Sequence, residues 1–354
     1  SVLLALLIFM QSRIIISNMH KKVIERSLKQ KILKRLQNNP VVALLGARQV
    51  GKSTLAKEIL KDYPNSIYLD LEKSSERMKI EAEPELFLKE NREKLICLDE
   101  IQLLPEIFQT LKSYIDSGNK NAQFLILGSA SRDLIKQSSE TLAGRIAYIE
   151  IGPFHFLEVP KGISKNEHWL KGGYPKSLLQ SDTEESIEWR EDYIRTFLER
   201  DLPQLGFNIP TRKLERLWRM LAHNHCQLIN YSNLGKSLDV SYHTIKSYIV
   251  ILEQTFVVRT LRPYHTNSKK RLVKSPKVYI RDSGLLHTLL GIEDMNDLLG
   301  HPLVGNSFES YIIENLKVNF PRWSYSFYRD SAGNEIDLLL AKGNRKIVIE
   351  IKSS

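Results

Sequence analysis

The segment with the clearest chemistry is a glycine-rich stretch, residues 46–53, that could hold phosphate. It fits the spacing G-x-x-x-x-G-K-[ST] at every fixed position, between a predicted strand and a predicted helix. The glycines let successive backbone N–H groups point at phosphate oxygens, and the helix N-terminus adds the positive end of its dipole. Lys52 is expected to reach the β- and γ-phosphates, and the Ser53 hydroxyl to bind Mg²⁺. The predicted nucleotide-binding residues are Gly46, Ala47, Arg48, Gln49, Val50, Gly51, Lys52, Ser53 and Thr54.

Two acids follow a buried apolar run at residues 95–98 and could complete such a site. Asp99 would hold Mg²⁺ through water, and Glu100 would orient and deprotonate an attacking water. Taken alone, the pair could equally be the N-cap of a short helix over residues 101–104. Behind Lys52 and Ser53 the metal-site interpretation is favoured. The presence of Glu100 beside Asp99 indicates hydrolysis and not binding alone.

Two further polar residues follow small motifs in the same half of the chain. Ser129 ends a predicted strand at residues 124–127 and could interact with the γ-phosphate, or it is simply a turn residue after a glycine. Arg145 precedes the next predicted strand. It could supply transition-state charge in cis or to a neighbouring subunit of a homo-oligomer, or be a plain surface arginine.

A hairpin with acidic ends is predicted near the end of the chain. Residues 343–344 (Gly-Asn) fit a two-residue turn between two alternating stretches. This register places Asp337 opposite Glu350, and Glu335 opposite Lys352, on one face. Like charges directly opposite each other are destabilising, so the first pair calls for a cation between its carboxylates.

A third carboxylate from the preceding helix, Glu309 or Glu314, could complete a metal site there. An acid followed by acid-x-Lys on a hairpin resembles the restriction-endonuclease-like nuclease core. That resemblance implies acids that hold Mg²⁺ and a Lys352 that helps activate water at a phosphodiester. The alternative is a solvated hairpin with one Glu335–Lys352 ion pair. The sequence stops two residues after Lys352, so we expect a truncated nuclease-like region without cleavage activity.

The elements that must position the phosphate-site residues are predicted from hydrophobic periodicity. Short buried strands are expected at residues 41–45, 67–71, 95–98 and 124–127. Helical stretches alternate with them, including residues 54–61 and an N-terminal helix that ends at residues 38–40 (Asn-Asn-Pro). Strands that alternate with helices predict a doubly wound α/β fold with a parallel sheet.

The middle of the chain is basic and mostly helical. Residues 211–282 hold 14 Lys and Arg against 4 Asp and Glu, an excess equal to that of the whole chain. Helices at 231–238 and 242–254 followed by strands predict a winged-helix-like region, which favours double-stranded DNA as a partner. Protein-interaction modules share this shape and are the alternative. Residues expected to face the groove or the phosphates are Tyr242, His243, Thr244, Lys246, Lys269, Lys270, Arg271 and Lys274.

A charged run just before this basic region could connect it to the nucleotide site. Its ionisable residues are Arg195, Glu199, Arg200 and Asp201. They could form an ion-pair network that couples the two regions. A surface-helix charge pattern explains them equally well.

Composition limits the class of protein. The chain has 354 residues, of which 42% are apolar and 26% charged, an ordinary globular balance. Cys97 and Cys226 lie far apart, which excludes a disulfide framework and a structural zinc site and favours a reducing, cytoplasmic compartment. A net charge of +10 favours polyanionic partners.

The N-terminal apolar run, residues 2–10, is shorter than the roughly 20 residues that span a bilayer. No positive charge precedes it, so a signal peptide is not indicated. Residues 1–18 are interpreted as a non-functional, over-extended segment, with a peripheral membrane contact as the alternative and no integral membrane association expected. The predicted regions are then a P-loop domain at 19–155, a helical lid or linker at 156–210, a winged-helix-like domain at 211–300 and a truncated nuclease-like region at 301–354.

Taken together, these motifs resemble the AAA-type P-loop ATPases of bacteria and archaea that carry a C-terminal domain of unknown function. The phosphate site, residues 99–102, 127–129 and 142–145 carry the likeness, which continues through residues 193–201 and 274–286. The resemblance implies ATP and Mg²⁺ as cofactors and ATP hydrolysis coupled to conformational change. A nucleotide-dependent DNA- or protein-binding regulator that scarcely turns over is the alternative. The residues alone do not choose between ATP and GTP.

Overall fold

A computed structural model describes residues 24–118, 120–129, 142–264, 275–329 and 334–353. Its first region is built on a parallel sheet with strand order β2-β3-β4-β1-β5. These strands are β1 (Val41–Leu45), β2 (Ile67–Asp70), β3 (Ile96–Asp99), β4 (Phe124–Gly128) and β5 (Ile146–Glu150). All residues of β1, β3 and β4 are buried, as expected for strands covered on both faces. The predicted α/β fold and parallel sheet are confirmed.

Helices cover both faces of this sheet. They are α1 (Leu28–Asn38), α2 (Lys52–Leu60), α3 (Ser74–Glu81), α4 (Pro84–Glu90) and α5 (Ile107–Gly118). Helix α1 buries Leu28, Ile32 and Leu36 at helical spacing and ends where the sequence predicts. Because the strands are parallel, the loops after β1, β2, β3 and β4 all meet at one edge of the sheet.

A mostly helical region follows the sheet. It contains α6 (Lys165–Lys171), α7 (Pro175–Leu178), α8 (Thr183–Thr196), a π-helical segment (Phe197–Asp201), α9 (Leu202–Gln204), α10 (Thr211–His223), α11 (Tyr231–Leu238), α12 (Tyr242–Gln254), β6 (Val258–Leu261) and β7 (Lys277–Ile280). Helices α11 and α12 have the predicted bounds. The Ser241 side chain accepts a hydrogen bond of 3.1 Å from Thr244 N, so it is the predicted N-cap. Strands β6 and β7 pair antiparallel.

The last region packs one long helix against a three-stranded antiparallel sheet. Its elements are α13 (Ser283–Leu290), α14 (Met295–Gly300), α15 (Val304–Asn319), β8 (Ser324–Arg329), β9 (Glu335–Lys342) and β10 (Arg345–Ile349). Arg345 pairs with Lys342 around a turn in which Gly343 has φ 57°. The predicted hairpin and its register are confirmed.

An ion-pair cluster, which we call the junction cluster, joins the three regions. It consists of Glu150 at the end of β5, Arg259 on β6, Arg281 after β7 and Glu314 on α15. Arg281 contacts Glu150 at 2.6 Å and Glu314 at 3.2 Å. Burial alone would raise the pKa of Glu314, but the two guanidinium groups lower it below its ordinary value.

Two sequence predictions fall outside the described residues. The N-terminal segment at residues 1–18 is one, and the four basic residues Lys269, Lys270, Arg271 and Lys274 are the other. Over the part of the chain that the structure describes, no helix is both long and apolar enough to cross a bilayer.

Candidate nucleotide site

The glycine-rich loop lies at the carboxyl end of β1, between that strand and α2. Its backbone requires glycine at both fixed positions. A Cβ on Gly46 would lie 2.0 Å from the Ile151 carbonyl oxygen, and Gly51 has φ +95°, a left-handed conformation. The buried Lys52 ammonium donates to the carbonyl oxygens of Gly46 and Ala47 at 2.9 Å each. Burial lowers the pKa of Lys52, while Glu100 and Asp99 oppose this effect.

Ser53 and Asp99 are brought together across the sheet edge, as the sequence predicts for a Mg²⁺ site. The Asp99 carboxylate accepts a hydrogen bond from the Tyr68 hydroxyl, and the Ser53 hydroxyl lies beside it. Burial raises the pKa of Asp99, and the two hydroxyls act in the opposite direction. A hydroxyl beside a carboxylate is the oxygen donor set that Mg²⁺ prefers, so these residues fit the ion.

Glu100 and Ser129 are linked by a residue that sequence analysis did not single out. The Gln102 side-chain amide donates to the Glu100 carboxylate and, at 3.0 Å, to the Ser129 hydroxyl. Glu100 itself has φ 57°, a left-handed conformation that is uncommon for a non-glycine residue. The turn after β3 and the end of β4 therefore form one hydrogen-bonded unit, with Ser129 beside the acid where the sequence places it.

Arg48, inside the phosphate loop, is held by carboxylates from distant parts of the chain. Its guanidinium contacts Asp201 of the π-helical segment and Glu72, which follows β2. Asp201 is buried and also accepts from Arg200 Nε at 3.1 Å. Of the four residues predicted to form a network, Arg200 and Asp201 are joined to the loop through Arg48, Arg195 pairs on the surface with Asp192 at 3.5 Å, and Glu199 is exposed. A coupling of the two regions through this network stays a prediction.

These groups open into a cavity of about 810 Å³. Its charged and polar lining includes Lys52, Ser53 and Glu100, together with Arg48, Glu72 and Arg200. Its apolar lining includes Ile24, Val50, Phe154, Pro175 and Leu179. A cavity that combines apolar walls with a few charged groups beside a phosphate loop suits a nucleotide.

Arg145 is not brought to this cavity. It precedes Ile146, which pairs with Val41 at the beginning of β1, so it lies at the amino edge of the sheet. At about 3.3 Å per residue, the five residues of β1 put roughly 15 Å of sheet between Arg145 and the loop. Its guanidinium contacts Asp116 instead. A role in cis is therefore not available to Arg145, and a role toward a neighbouring subunit stays a prediction.

Three of the four α12 residues that the sequence predicts to face a DNA groove are exposed, and the fourth, Thr244, is half-buried. Tyr242 is 44% exposed, and His243 and Lys246 are also exposed. Ile245, Ile249 and Leu252 form the buried stripe of this helix. Gly235 allows close packing of the two helices, because a Cβ there would lie 2.7 Å from the Val240 carbonyl oxygen.

The acids of the C-terminal hairpin do not form the predicted metal site. The Asp337 carboxylate accepts a hydrogen bond of 2.8 Å from Ile351 N, while the Glu350 side chain is 55% exposed and lies 4.0 Å from Lys352. Within the described residues, no group of three or more His, Cys, Asp or Glu is placed to hold a metal ion. Glu314 belongs to the junction cluster and is not available as a third ligand.

A lysine from the middle region pairs with two other acids of the last region. Lys277 on β7 is buried, contacts Glu335 and lies 3.3 Å from Glu309. Glu309 also accepts from the Tyr279 hydroxyl at 2.8 Å. The predicted Glu335–Lys352 pair is therefore wrong, because Glu335 pairs with Lys277.

Comparison with known proteins agrees with this architecture. Residues 38–159 match an AAA domain, and residues 164–296 and 304–354 match two domains of unknown function, DUF8612 and DUF4143. An uncharacterised protein of Mycobacterium tuberculosis is 39% identical over 327 residues, which cover 92% of this chain and 73% of the relative. The chain belongs to this AAA-domain family.

More distant proteins share the same organisation. An uncharacterised protein of Haemophilus influenzae is 25% identical over 78% of this chain and 76% of its own length. The solved structure of a Walker-type ATPase from Pyrococcus abyssi superimposes with a TM-score of 0.54 at 17% identity, over 76% of this chain and 96% of that one. This likeness shows the fold, that of an AAA-type P-loop ATPase.

Proposed function

We propose that this AAA-domain protein binds ATP with Mg²⁺ and hydrolyses it, and that turnover drives a conformational change in the helical region. The observation that carries the proposal is the position of Glu100, which lines the same cavity as Lys52 and Ser53. A site for binding alone needs the loop and the lysine. A carboxylate fixed by Gln102 beside them can also accept a proton from water.

Each residue has one task in the proposed reaction. The loop N–H groups and Lys52 bind the phosphates, and Ser53 and Asp99 would hold Mg²⁺, which neutralises phosphate charge when bound. Glu100 orients a water and takes its proton as the water oxygen bonds to the γ-phosphorus. The bond from that phosphorus to the β–γ bridging oxygen breaks, and ADP leaves with its electron pair. Ser129 and Gln102 position Glu100.

The test is steady-state ATP turnover by the full chain with Mg²⁺ and with excess EDTA. We expect phosphate release that requires Mg²⁺. The same assay with and without duplex DNA separates the two interpretations of the middle region. Binding of Mg²⁺–ATP without phosphate release beyond a heat-denatured control would favour the non-catalytic regulator.

Duplex DNA is the second candidate partner, favoured by the exposed N-terminal half of α12 within a basic region. If Lys and Arg side chains hold the duplex through its phosphates, neutralising Lys269, Lys270 and Arg271 together should weaken binding to all sequences alike. In a plot of the logarithm of the binding constant against the logarithm of the salt concentration, the negative slope should become less steep by roughly 0.9 for each phosphate that the variant no longer neutralises. The matched control neutralises Lys34, Lys89 and Lys112, which lie on the first region and remove the same charge. An unchanged slope in the first variant would indicate a protein partner.

A further inference from the structure

Three arginines line the cavity: Arg26, which pairs with Glu158, and two others that share one carboxylate. Arg48 comes from the phosphate loop, and Arg200 comes from the π-helical segment, 152 positions later in the sequence. Both line the cavity, and both donate to Asp201. Arg145, the arginine that the sequence suggested, lies at the opposite edge of the sheet.

We infer that Asp201 is a positioning residue that fixes Arg48 and Arg200 beside the phosphate loop, and that Arg200 supplies positive charge to the transition state in cis. This inference rests on the proposed ATP hydrolysis. Asp201 is 4% exposed, so its charge is compensated by the two guanidinium groups and not by solvent. Its removal would release Arg200 and take one of two carboxylate partners from Arg48.

The two arginines differ in how firmly they are held. The side chain of Arg48 is 14% exposed and has a second carboxylate partner, Glu72, and a contact of 3.2 Å with Gln204. The side chain of Arg200 is 57% exposed and has Asp201 alone among the ion pairs of the described chain. Arg48 is thus fixed in the loop. Arg200 bonds to Asp201 through Nε, so its terminal guanidinium nitrogens can donate to a phosphate while the contact with Asp201 is kept.

The backbone around Arg200 is itself unusual. Residues Phe197–Asp201 form a π-helix directly after α8, and π-helical turns add a residue to the helix and are frequent at functional sites. Within this segment Asp201 contacts Arg48 of the loop, while Arg200, its neighbour, lines the open cavity. An ordinary α-helical continuation would give these two residues a different relation to the loop.

The chemical role follows from charge. Negative charge grows on the bridging oxygen and the γ-phosphoryl oxygens as the bond breaks, and a positioned guanidinium stabilises that charge more than it stabilises the ground state. Lys52 already neutralises the ground-state phosphates. Arg200 is therefore expected to affect kcat more than the affinity for ATP.

The experiment compares Arg200→Ala, Arg200→Lys and Asp201→Asn with Arg195→Ala as the matched control. Arg195 lies five residues earlier, at the end of α8, and pairs only at the surface. We expect Arg200→Ala to lower kcat by about 100-fold or more, with the Kd for Mg²⁺–ATP changed by less than about threefold. Arg200→Lys should recover part of kcat, and Asp201→Asn should lower kcat with a similar pattern.

A second readout does not depend on turnover. Arg200→Ala should lose more affinity for ADP with aluminium fluoride, a mimic of the transferring phosphoryl group, than for ATP. Equal losses for the two ligands, or a kcat for Arg200→Ala equal to that of Arg195→Ala, would overturn the assignment. If Asp201→Asn changes only the melting temperature, Asp201 is merely structural and its positioning role is wrong. If the unaltered chain releases no phosphate, the proposed function fails and this inference fails with it.

Discussion

Glu100→Gln is expected to leave Mg²⁺–ATP bound while turnover falls by at least about 100-fold, the usual contribution of a general base. The amide keeps the size of the side chain and its contact with Gln102 but cannot take a proton from water. Lys52→Ala is expected to act differently and abolish binding, because it removes ground-state charge from the phosphates. Binding titrations and single-turnover phosphate release separate the two effects.

The controls for these variants are surface residues of the same type outside the cavity. Glu106→Gln lies just beyond the turn after β3, and Lys112→Ala lies on α5; both positions are exposed. Both should match the unaltered chain in binding and turnover. Hydrolysis by Glu100→Gln at the parent rate would show that another group is the base.

Lys277→Met is expected to destabilise the fold strongly. It leaves the buried carboxylate of Glu309 without its ammonium partner, which typically costs about 3–5 kcal/mol of the free energy of unfolding. Burial already raises the pKa of Glu309 in the intact protein, with Lys277 opposing that effect. Without the lysine, the folded-state pKa of Glu309 rises further above its unfolded value.

The sign of the pH dependence follows from that shift. A carboxyl with a raised folded-state pKa stabilises the fold below its unfolded value and loses that contribution as the pH rises through its folded value. The loss in free energy of unfolding caused by Lys277→Met should therefore be smaller at pH 5 than at pH 8. The double variant with Glu309→Gln should recover much of the loss, and Lys342→Met, on the exposed end of β9, is the control. Urea unfolding at both pH values makes the comparison.

A separate melting experiment tests whether the C-terminal hairpin binds a metal ion. Because Asp337 accepts a hydrogen bond from Ile351 N and Glu350 is exposed beside Lys352, Mn²⁺ should shift the melting temperatures of the unaltered chain and of Asp337→Asn equally. A gain confined to the chain that keeps Asp337 would show that the hairpin binds metal after all.

Local spacing predicted the parts of this fold that depend on neighbouring residues. The phosphate loop, the helix pair at 231–254 and the hairpin turn at Gly343 each follow from a few adjacent positions, because backbone geometry decides them. The contacts of Arg48 with Asp201 and of Lys277 with Glu309 join residues far apart in the sequence. No periodicity reports such pairs, since they arise from how whole elements pack. Gln102 was missed because an amide beside two acids carries no charge signal.

The misplacement of Arg145 has a physical reason of another kind. The residue was expected near the nucleotide because it begins a strand next to a glycine. In a parallel sheet, however, the start of every strand lies at the edge away from the phosphate loop. Asp99 ends a strand and Arg145 precedes one, so in a parallel sheet they lie at opposite edges.

Because of the junction cluster, we do not expect the regions recognised in the sequence to be stable as separate fragments. A break near residue 160 would separate Glu150 from Arg281 and Arg259, and a break near residue 300 would separate both arginines from Glu314. After either cut, the fragments would carry unpaired guanidinium or carboxylate groups on a surface that contacts another region in the intact protein. We therefore expect the AAA domain expressed alone to be less stable than it is in the whole chain. Ion pairs with the other two regions contribute to the stability of each region.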